Sequence, residues 1–175
     1  MADTPPIDRD LDAVIPLVYA KLREMALARL RRSPLDSLSP TELLNEAYLR
    51  MARQQELPID DRSEFFAIAA RVIRNTLVDL ARARRAKKRG AKPSRITLSD
   101  AHLARKDDAV DLMELHEALE RLGSIDTRQA RIAELRIFGG LSIREISRVM
   151  EVSRRTVDDE LTLARAWLRR EIFDR

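Results

Sequence analysis

Apolar residues recur every three or four positions through most of the chain, with polar residues between them. That spacing places the apolar side chains on one face of an α-helix. Short segments with Pro, Gly, Ser or Asp separate these runs. The pattern predicts an all-α protein. Its helices are expected over residues 11–32, 41–53, 65–85, 110–122, 126–138, 143–150 and 153–168.

The clearest local pattern lies in residues 139–170. One apolar series runs from Ile143 to Met150, Val152 interrupts the helical period, and a second series begins at Val157. Two short helices joined by a tight turn produce this pattern. It predicts a helix-turn-helix in which positions 154–160 face a ligand.

Side chains that cap helices mark the predicted starts. Ser142 with Glu145 three positions later forms a capping box, and Asp126 with Gln129 matches the same spacing. Ser153 is placed to cap the second helix of the pair. Ser39 and Asp61 are predicted to cap the helices that follow them. Gly123 is predicted to end the helix 110–122.

Two features of the helix pair leave its role open. The turn usually contains Gly because one residue adopts a left-handed conformation, and here Glu151 occupies that position. The second helix carries Asp158, Asp159 and Glu160, and acids there would repel phosphates. A helical hairpin that binds nothing is therefore an alternative from this segment alone.

Composition narrows the classes of function. The 175 residues include 33 Lys and Arg against 29 Asp and Glu, two His and no Cys. Without Cys there is no disulfide or thiolate metal site, and two isolated His residues do not build a zinc site. No apolar run approaches the roughly 20 residues that span a bilayer. We expect a soluble, intracellular protein without cofactor, metal or catalytic group.

The charges are distributed unevenly along the chain. Residues 82–95 contain eight bases and no acid, whereas residues 100–120 are predominantly acidic. Arg71, Arg74 and Arg82 extend the basic charge onto a predicted helix, where it can follow a phosphate backbone. Nucleic acid is the expected partner. The predicted units are a helical domain at 8–89, a flexible linker at 90–108 and a second helical domain at 109–175.

Several segments in this order resemble a bacterial sigma factor of the extracytoplasmic-function (ECF) type. The matching stretches are TELLNEAYLRMAR at Thr41 to Arg53, FFAIAARVIRNTLVDLARARR at Phe65 to Arg85, and LSIREISRVMEVSRRTVDDELTLARAWLR at Leu141 to Arg169. The resemblance implies a promoter-specificity subunit that binds RNA polymerase core, at its clamp helices and flap, and promoter DNA.

The resemblance also implies roles for individual residues. The polymerase-docking candidates are Glu42, Asn45, Glu46, Leu49 and Arg50. The candidates for contacting the minus-ten region are Arg71, Arg74, Asn75, Asp79, Arg82, Arg84 and Arg85. The candidates for contacting the minus-thirty-five element are Ser153, Arg154, Arg155, Thr156 and Asp158. Arg can hold phosphate in a bidentate fork, and Asn or Arg can read base edges.

The start of the docking helix departs from the family pattern. Members commonly carry an acidic DAED-like run there, whereas this chain has Ser39, Pro40, Thr41 and Glu42. We hypothesise that phosphorylation of Thr41, or less favourably of Ser39, restores the charge, because a helix N-terminus favours a phosphate. A Ser/Thr kinase is then a candidate partner, and an anti-sigma protein is another.

Three further points are left open by the residues. The loop 54–62 has no aromatic side chain, so a pocket for a flipped base would have to use Phe65 or Phe66, which core packing explains equally well. Asp158 is suited to accept from a cytosine amino group, or else the helix binds weakly. The acidic segment 107–120 is a candidate to fold back on the basic helix and block DNA.

The sequence therefore predicts a sigma subunit, working in the cytoplasm and on the nucleoid when bound to polymerase. The main alternative is a dimeric helix-turn-helix regulator that acts on duplex DNA without being a polymerase subunit. An adaptor that binds only protein is a third class.

Overall fold

The computed structural model describes residues 20, 23–24, 40–53, 62–87, 95–97 and 109–173. Within the predicted helix 11–32, the three described residues are helical. The predicted caps Ser39 and Asp61 and nearly all of the loop 54–62 lie outside the described residues. The elements are α1 (Pro40–Ala52), α2 (Arg62–Lys87), β1 (Arg95–Thr97), β2 (Ala109–Asp111), α3 (Leu112–Ile125), α4 (Thr127–Ile137), α5 (Ile143–Val149) and α6 (Arg154–Phe173).

The predicted all-α class is confirmed, with one small addition. β1 and β2 form an antiparallel pair in which Ile96 is opposite Val110. β1 lies inside the segment predicted to be an irregular linker. Three-residue strands are too short to show an alternating pattern, although Ile, Thr and Val favour extended backbone.

The prediction of a helix over 110–122 was wrong at both ends. Val110 and Asp111 belong to β2, and the Asp111 side chain accepts a hydrogen bond from the Met113 amide at 2.7 Å, so the helix begins at Leu112. Gly123 lies inside α3 rather than ending it. The helix ends at Ile125, and the extended backbone of the next residue, Asp126, allows its side chain to cap α4 by accepting from the Gln129 amide.

Two glycines end α4. A Cβ on Gly139 would lie 2.5 Å from the Leu135 carbonyl oxygen, so only glycine fits there. Gly140 has a φ of 68°, which glycine adopts without strain. The Leu141 amide then donates to the Leu135 carbonyl, as in a helix C-cap.

The predicted helix pair is present as α5 and α6. Ser142 and Glu145 form the predicted capping box of α5, and the Ser153 hydroxyl accepts from the Thr156 amide at 3.0 Å at the start of α6. Glu151 has a φ of 54°, the left-handed conformation that the turn requires.

The core is built from the faces that the periodicity indicates. α1 packs on α2 through buried Leu43, Ala47 and Met51, and α6 packs on α3 and α4 through buried Leu161 and Leu168. α2 also contacts α3, α4 and α5, which brings the two halves of the chain together. Within the described ranges, no helix has the length and apolar character needed to cross a bilayer.

Candidate nucleic-acid interface

α1 presents the face that the sequence assigns to polymerase docking. Its apolar positions are buried, whereas Glu42 and Asn45 are exposed and Leu49 is 49% exposed. Glu46 and Arg50 are half-buried, and Arg50 Nε donates to the Glu46 carboxylate at 2.9 Å. One side of α1 therefore packs into the core. The opposite side, which has Leu49 near its centre, is exposed and can contact a partner.

A chain of ion pairs connects this face to α2. Arg50 Nη1 donates to Asp79 Oδ2 at 2.7 Å, and Arg82 Nη1 lies 3.7 Å from Asp79 Oδ1. Together with Glu46, these residues alternate in charge from α1 to α2. Two of the docking candidates and two of the minus-ten candidates are thus connected by ion pairs.

The minus-ten candidates on α2 are not equally accessible. Arg71 and Arg82 are exposed, and Asn75 and Asp79 are half-buried. Arg84 and Arg85 lie in the last turns of α2, and their side chains are outside the described residues.

Arg74 departs from the predicted pattern of exposed bases. It is only 5% exposed, its Nη2 donates to Glu120 on α3 at 2.5 Å, and its Nε lies 2.9 Å from Glu134 on α4. Both carboxylates come from the second half of the chain. Because a buried guanidinium needs anionic partners, Arg74 is directed inward in this arrangement.

A cleft of about 990 Å³ lies between α2 and the helices α3 and α4, beside the points where they contact each other. All the described minus-ten candidates line one wall of it, and carboxylates and further basic groups line the other. The lining charged or titratable residues are Arg50, Arg71, Arg74, Asp79, Arg82, His116, Glu120, Arg131 and Glu134.

Two titratable groups in the cleft are perturbed by burial. Desolvation raises the pKa of Glu134, and the charge of Arg74 opposes that rise. Desolvation lowers the pKa of His116, and the neighbouring charge of Arg74 adds to that effect. Both shifts follow from enclosing this surface between the two halves.

The first turns of α6 carry the minus-thirty-five candidates. Ser153, Arg154, Arg155 and Asp158 are exposed, and the Thr156 hydroxyl lies 2.8 Å from the Ser153 hydroxyl. Arg155 makes a long ion pair with Asp159, with 3.9 Å between Nε and Oδ2. Exposed guanidinium groups at the start of a helix are suited to contact phosphates or base edges.

A family model for the ECF sigma factor matches residues 8–174, nearly the whole chain. The chain belongs to this family. It is a promoter-specificity subunit that binds RNA polymerase core and promoter DNA, and the family acts in transcription initiation. The alternative of a regulator that is not a polymerase subunit is not favoured.

Among solved structures, the sigma factor RpoE in complex with the anti-sigma factor NepR from Bartonella quintana is similar to this chain. The two share 18% sequence identity with a TM-score of 0.39, and the match covers 93% of this chain and 96% of that one. No curated protein matches the chain.

One acid of this sigma factor's α6 has a structural role that the sequence did not indicate. Positions 154–160 were expected to face a ligand, but Glu160 is only 8% exposed. It accepts hydrogen bonds from Arg128 Nη2 and from Gln129 Nε2 on α4, the latter at 3.0 Å. Glu160 therefore ties α6 to the start of α4 and does not lie on the exposed surface with Asp158 and Asp159.

Phe65 and Phe66 are both buried in the core, with their rings edge to face at 5.7 Å between centroids. In this arrangement neither ring is available to stack on a flipped base. Core packing accounts for both residues.

The acidic segment 107–120 was a candidate to fold back on the basic helix, and its last residue, Glu120, does contact Arg74. The burial of Arg74 and its second partner, Glu134, were not predicted, but a signal was present. Ala70, Val78 and Ala81 flank Arg74 at helical spacing, and all three are buried. Small apolar residues on both sides of an arginine indicate a second packed stripe on α2. No local pattern identifies which distant carboxylates cover it.

Proposed function

We propose that different surfaces of this sigma factor bind RNA polymerase and the two promoter elements. α1 docks on the clamp helices of polymerase, the basic side of α2 contacts the minus-ten region, and α6 contacts the minus-thirty-five element. Residues 8–89 and 109–175 act as the two functional domains, joined by residues 90–108. The protein works in the cytoplasm, on the nucleoid when bound to polymerase.

The separation of exposed from buried faces supports these roles. On α1 the apolar side chains pack on α2 and leave Glu42, Asn45 and Leu49 exposed. On α6 the apolar side chains pack on α3 and α4 and leave Arg154 and Arg155 exposed. Each proposed contact surface is thus held by a packed helix, which fixes its geometry before the partner binds.

Reconstitution with core polymerase tests the proposal. The wild-type chain is expected to co-purify with core and to direct start-site-specific transcription. Glu42→Ala with Asn45→Ala should weaken core binding, whereas Arg154→Ala with Arg155→Ala should leave core binding intact and reduce promoter use. Glu114→Ala and Arg170→Ala change exposed charges elsewhere and serve as controls. Equal loss from the α1 and α6 variants in both assays would contradict the division of roles.

We also propose that phosphorylation of Thr41 strengthens docking. Thr41 is exposed in the first turn of α1, next to Glu42. A phosphate there would add about −1.5 to −2 charges beside the positive end of the helix dipole. It would supply charge that family members commonly carry as carboxylates at this position. A Ser/Thr kinase is the partner that this role requires.

Transcription in a cell that contains the cognate kinase tests the Thr41 role. Thr41→Glu should retain activity when the kinase is removed, and Thr41→Ala should lose it in both conditions. Ser39→Ala is the matched control at the neighbouring hydroxyl. Equal transcription from Thr41→Glu and Thr41→Ala would reject the role.

A further inference from the structure

Arg74 is held by the opposite half of the chain. Its guanidinium contacts Glu120 on α3 and Glu134 on α4, and both carboxylates lie beyond the segment that joins the two halves. Glu134 is itself buried, whereas the Glu120 side chain is 61% exposed. A single arginine thus bridges two carboxylates at the interface between the halves.

The same contact places α3 and α4 opposite the surface proposed to engage the minus-ten region. Arg71, Asn75 and Arg82 line the cleft whose far wall is formed by α3 and α4. Glu120 and Glu134 already occupy the guanidinium of Arg74, so a DNA phosphate could bind Arg74 only in their place. DNA and these two carboxylates therefore compete for one side chain.

The contact is suited to opening because its net strength is limited. Removing charged groups from water costs free energy, and this cost offsets much of the attraction between them. A buried ion pair therefore adds little net stability to the closed arrangement. The Glu134 side chain is only 9% exposed, and its burial raises its pKa, as expected for a carboxylate that is removed from water. Separating the halves would rehydrate all three groups, and phosphates could then replace the carboxylates on Arg74.

We propose that the contact of Arg74 with Glu120 and Glu134 is an autoinhibitory latch, which holds α3 and α4 over the DNA-contacting side of α2 until polymerase binding separates the halves. This inference rests on the proposed function of α2. It explains why an arginine of the basic helix is buried against acids of the other domain. It also assigns Glu120 and Glu134 a role in keeping the free sigma factor from DNA.

Distance measurements test whether the latch holds the halves together. The chain contains no Cys, so Arg53→Cys and Arg170→Cys place one spin label on an exposed position in each half. The otherwise unchanged labelled chain should give one narrow distance distribution. Glu120→Gln with Glu134→Gln should add a population at longer distance, and core polymerase should produce the same shift without those substitutions.

DNA binding by the free chain provides the second measurement. A latch that leaves about a tenth of the molecules open weakens apparent affinity about tenfold, so Glu120→Gln with Glu134→Gln should tighten binding to a labelled random single-stranded oligonucleotide by that factor. Glu120→Gln alone should tighten it in part, and this exposed substitution guards against a folding defect at Glu134. Helical circular dichroism verifies folding of each variant.

A charge-matched control separates a latch from simple electrostatics. Glu114→Gln with Glu117→Gln removes two negative charges from exposed positions of α3 without touching Arg74. This variant should retain the narrow distance distribution and the original affinity. The latch is overturned if the control tightens DNA binding as much as the latch variant does, or if the latch variant leaves the distance distribution unchanged.

Failure of the proposed function would be recognised separately. Arg71→Ala with Arg82→Ala should abolish minus-ten recognition by the holoenzyme if α2 has its proposed role. If recognition survives, that role fails. The spin-label distances still decide whether the latch closes the free chain.

Discussion

Arg50 on α1 donates a hydrogen bond to Asp79 on α2, with 2.7 Å between Nη1 and Oδ2. The hydrogen bond raises the pKa of the Arg50 guanidinium, so the residue is fully charged. Arg50 belongs to the proposed polymerase-docking surface and Asp79 to the proposed DNA-contacting surface. The two surfaces are therefore joined by a direct ion pair and not only by packing.

The Arg50–Asp79 pair should contribute little to stability. Its side chains are 31% and 47% exposed, and we expect a double-mutant cycle of Arg50→Ala and Asp79→Ala to give a coupling energy below about 1 kcal/mol. Urea unfolding measures this energy. The Arg82–Asp79 pair is longer, at 3.7 Å, and should give a smaller coupling energy than the Arg50–Asp79 pair. A coupling of several kcal/mol would show that the pair is a structural bridge instead.

Replacing Glu160 should lower the free energy of unfolding more than replacing the neighbouring Asp159. Glu160→Ala removes the acceptor of Arg128 and Gln129, and we expect a loss of about 1 to 2 kcal/mol in the free energy of unfolding. Asp159→Ala, at an exposed position of the same helix, should change it by less than about 0.5 kcal/mol. If both variants unfold alike in urea, the assignment of Glu160 to the core is wrong.

The turn between α5 and α6 offers a stabilising substitution. Glu151 is exposed and has a φ of 54°, a conformation that disfavours residues with a Cβ. Glu151→Gly should raise the free energy of unfolding by about 0.5 to 1 kcal/mol. Glu151→Val should lower it, because a β-branched side chain fits this conformation poorly. Thermal unfolding of the three chains gives the order, and a Gly variant less stable than the Val variant would contradict the turn geometry.

Acidification should weaken the folded chain through His116. Burial lowers the pKa of His116 below 6.5, so the folded state binds fewer protons than the unfolded state as the pH falls through and below that value. Stability from this residue is therefore present above pH 6.5 and is lost on acidification. His116→Gln should flatten that part of the pH dependence of unfolding. An unchanged slope would show that His116 titrates normally.

The local structure of the second half follows closely from the sequence. Ser142 with Glu145, Asp126 with Gln129, and Ser153 make their bonds within a few residues, so short-range chemistry determines where these helices begin. The left-handed turn at Glu151 follows from the spacing of the two helices, even though the residue itself is unfavourable. Such features need no knowledge of the rest of the fold.

Features that depend on distant residues were missed. The burial of Arg74 requires Glu120 and Glu134, which are 46 and 60 positions away, and only the acidic segment that contains Glu120 was a candidate to contact the basic helix. The burial of Glu160 requires Arg128 and Gln129 on another helix. Charged residues look alike in sequence whether they face solvent or a partner, and only the packing of α2, α4 and α6 decides between the two.

The most direct test of the account is site-specific cross-linking in the promoter complex with polymerase. A photo-cross-linker placed at Asn75 and another placed at Arg155 report which promoter element each helix contacts. The account predicts that Asn75 cross-links to the minus-ten region and Arg155 to the minus-thirty-five element of the same promoter. Cross-links of both positions to one element, or of Asn75 only to protein, would contradict it.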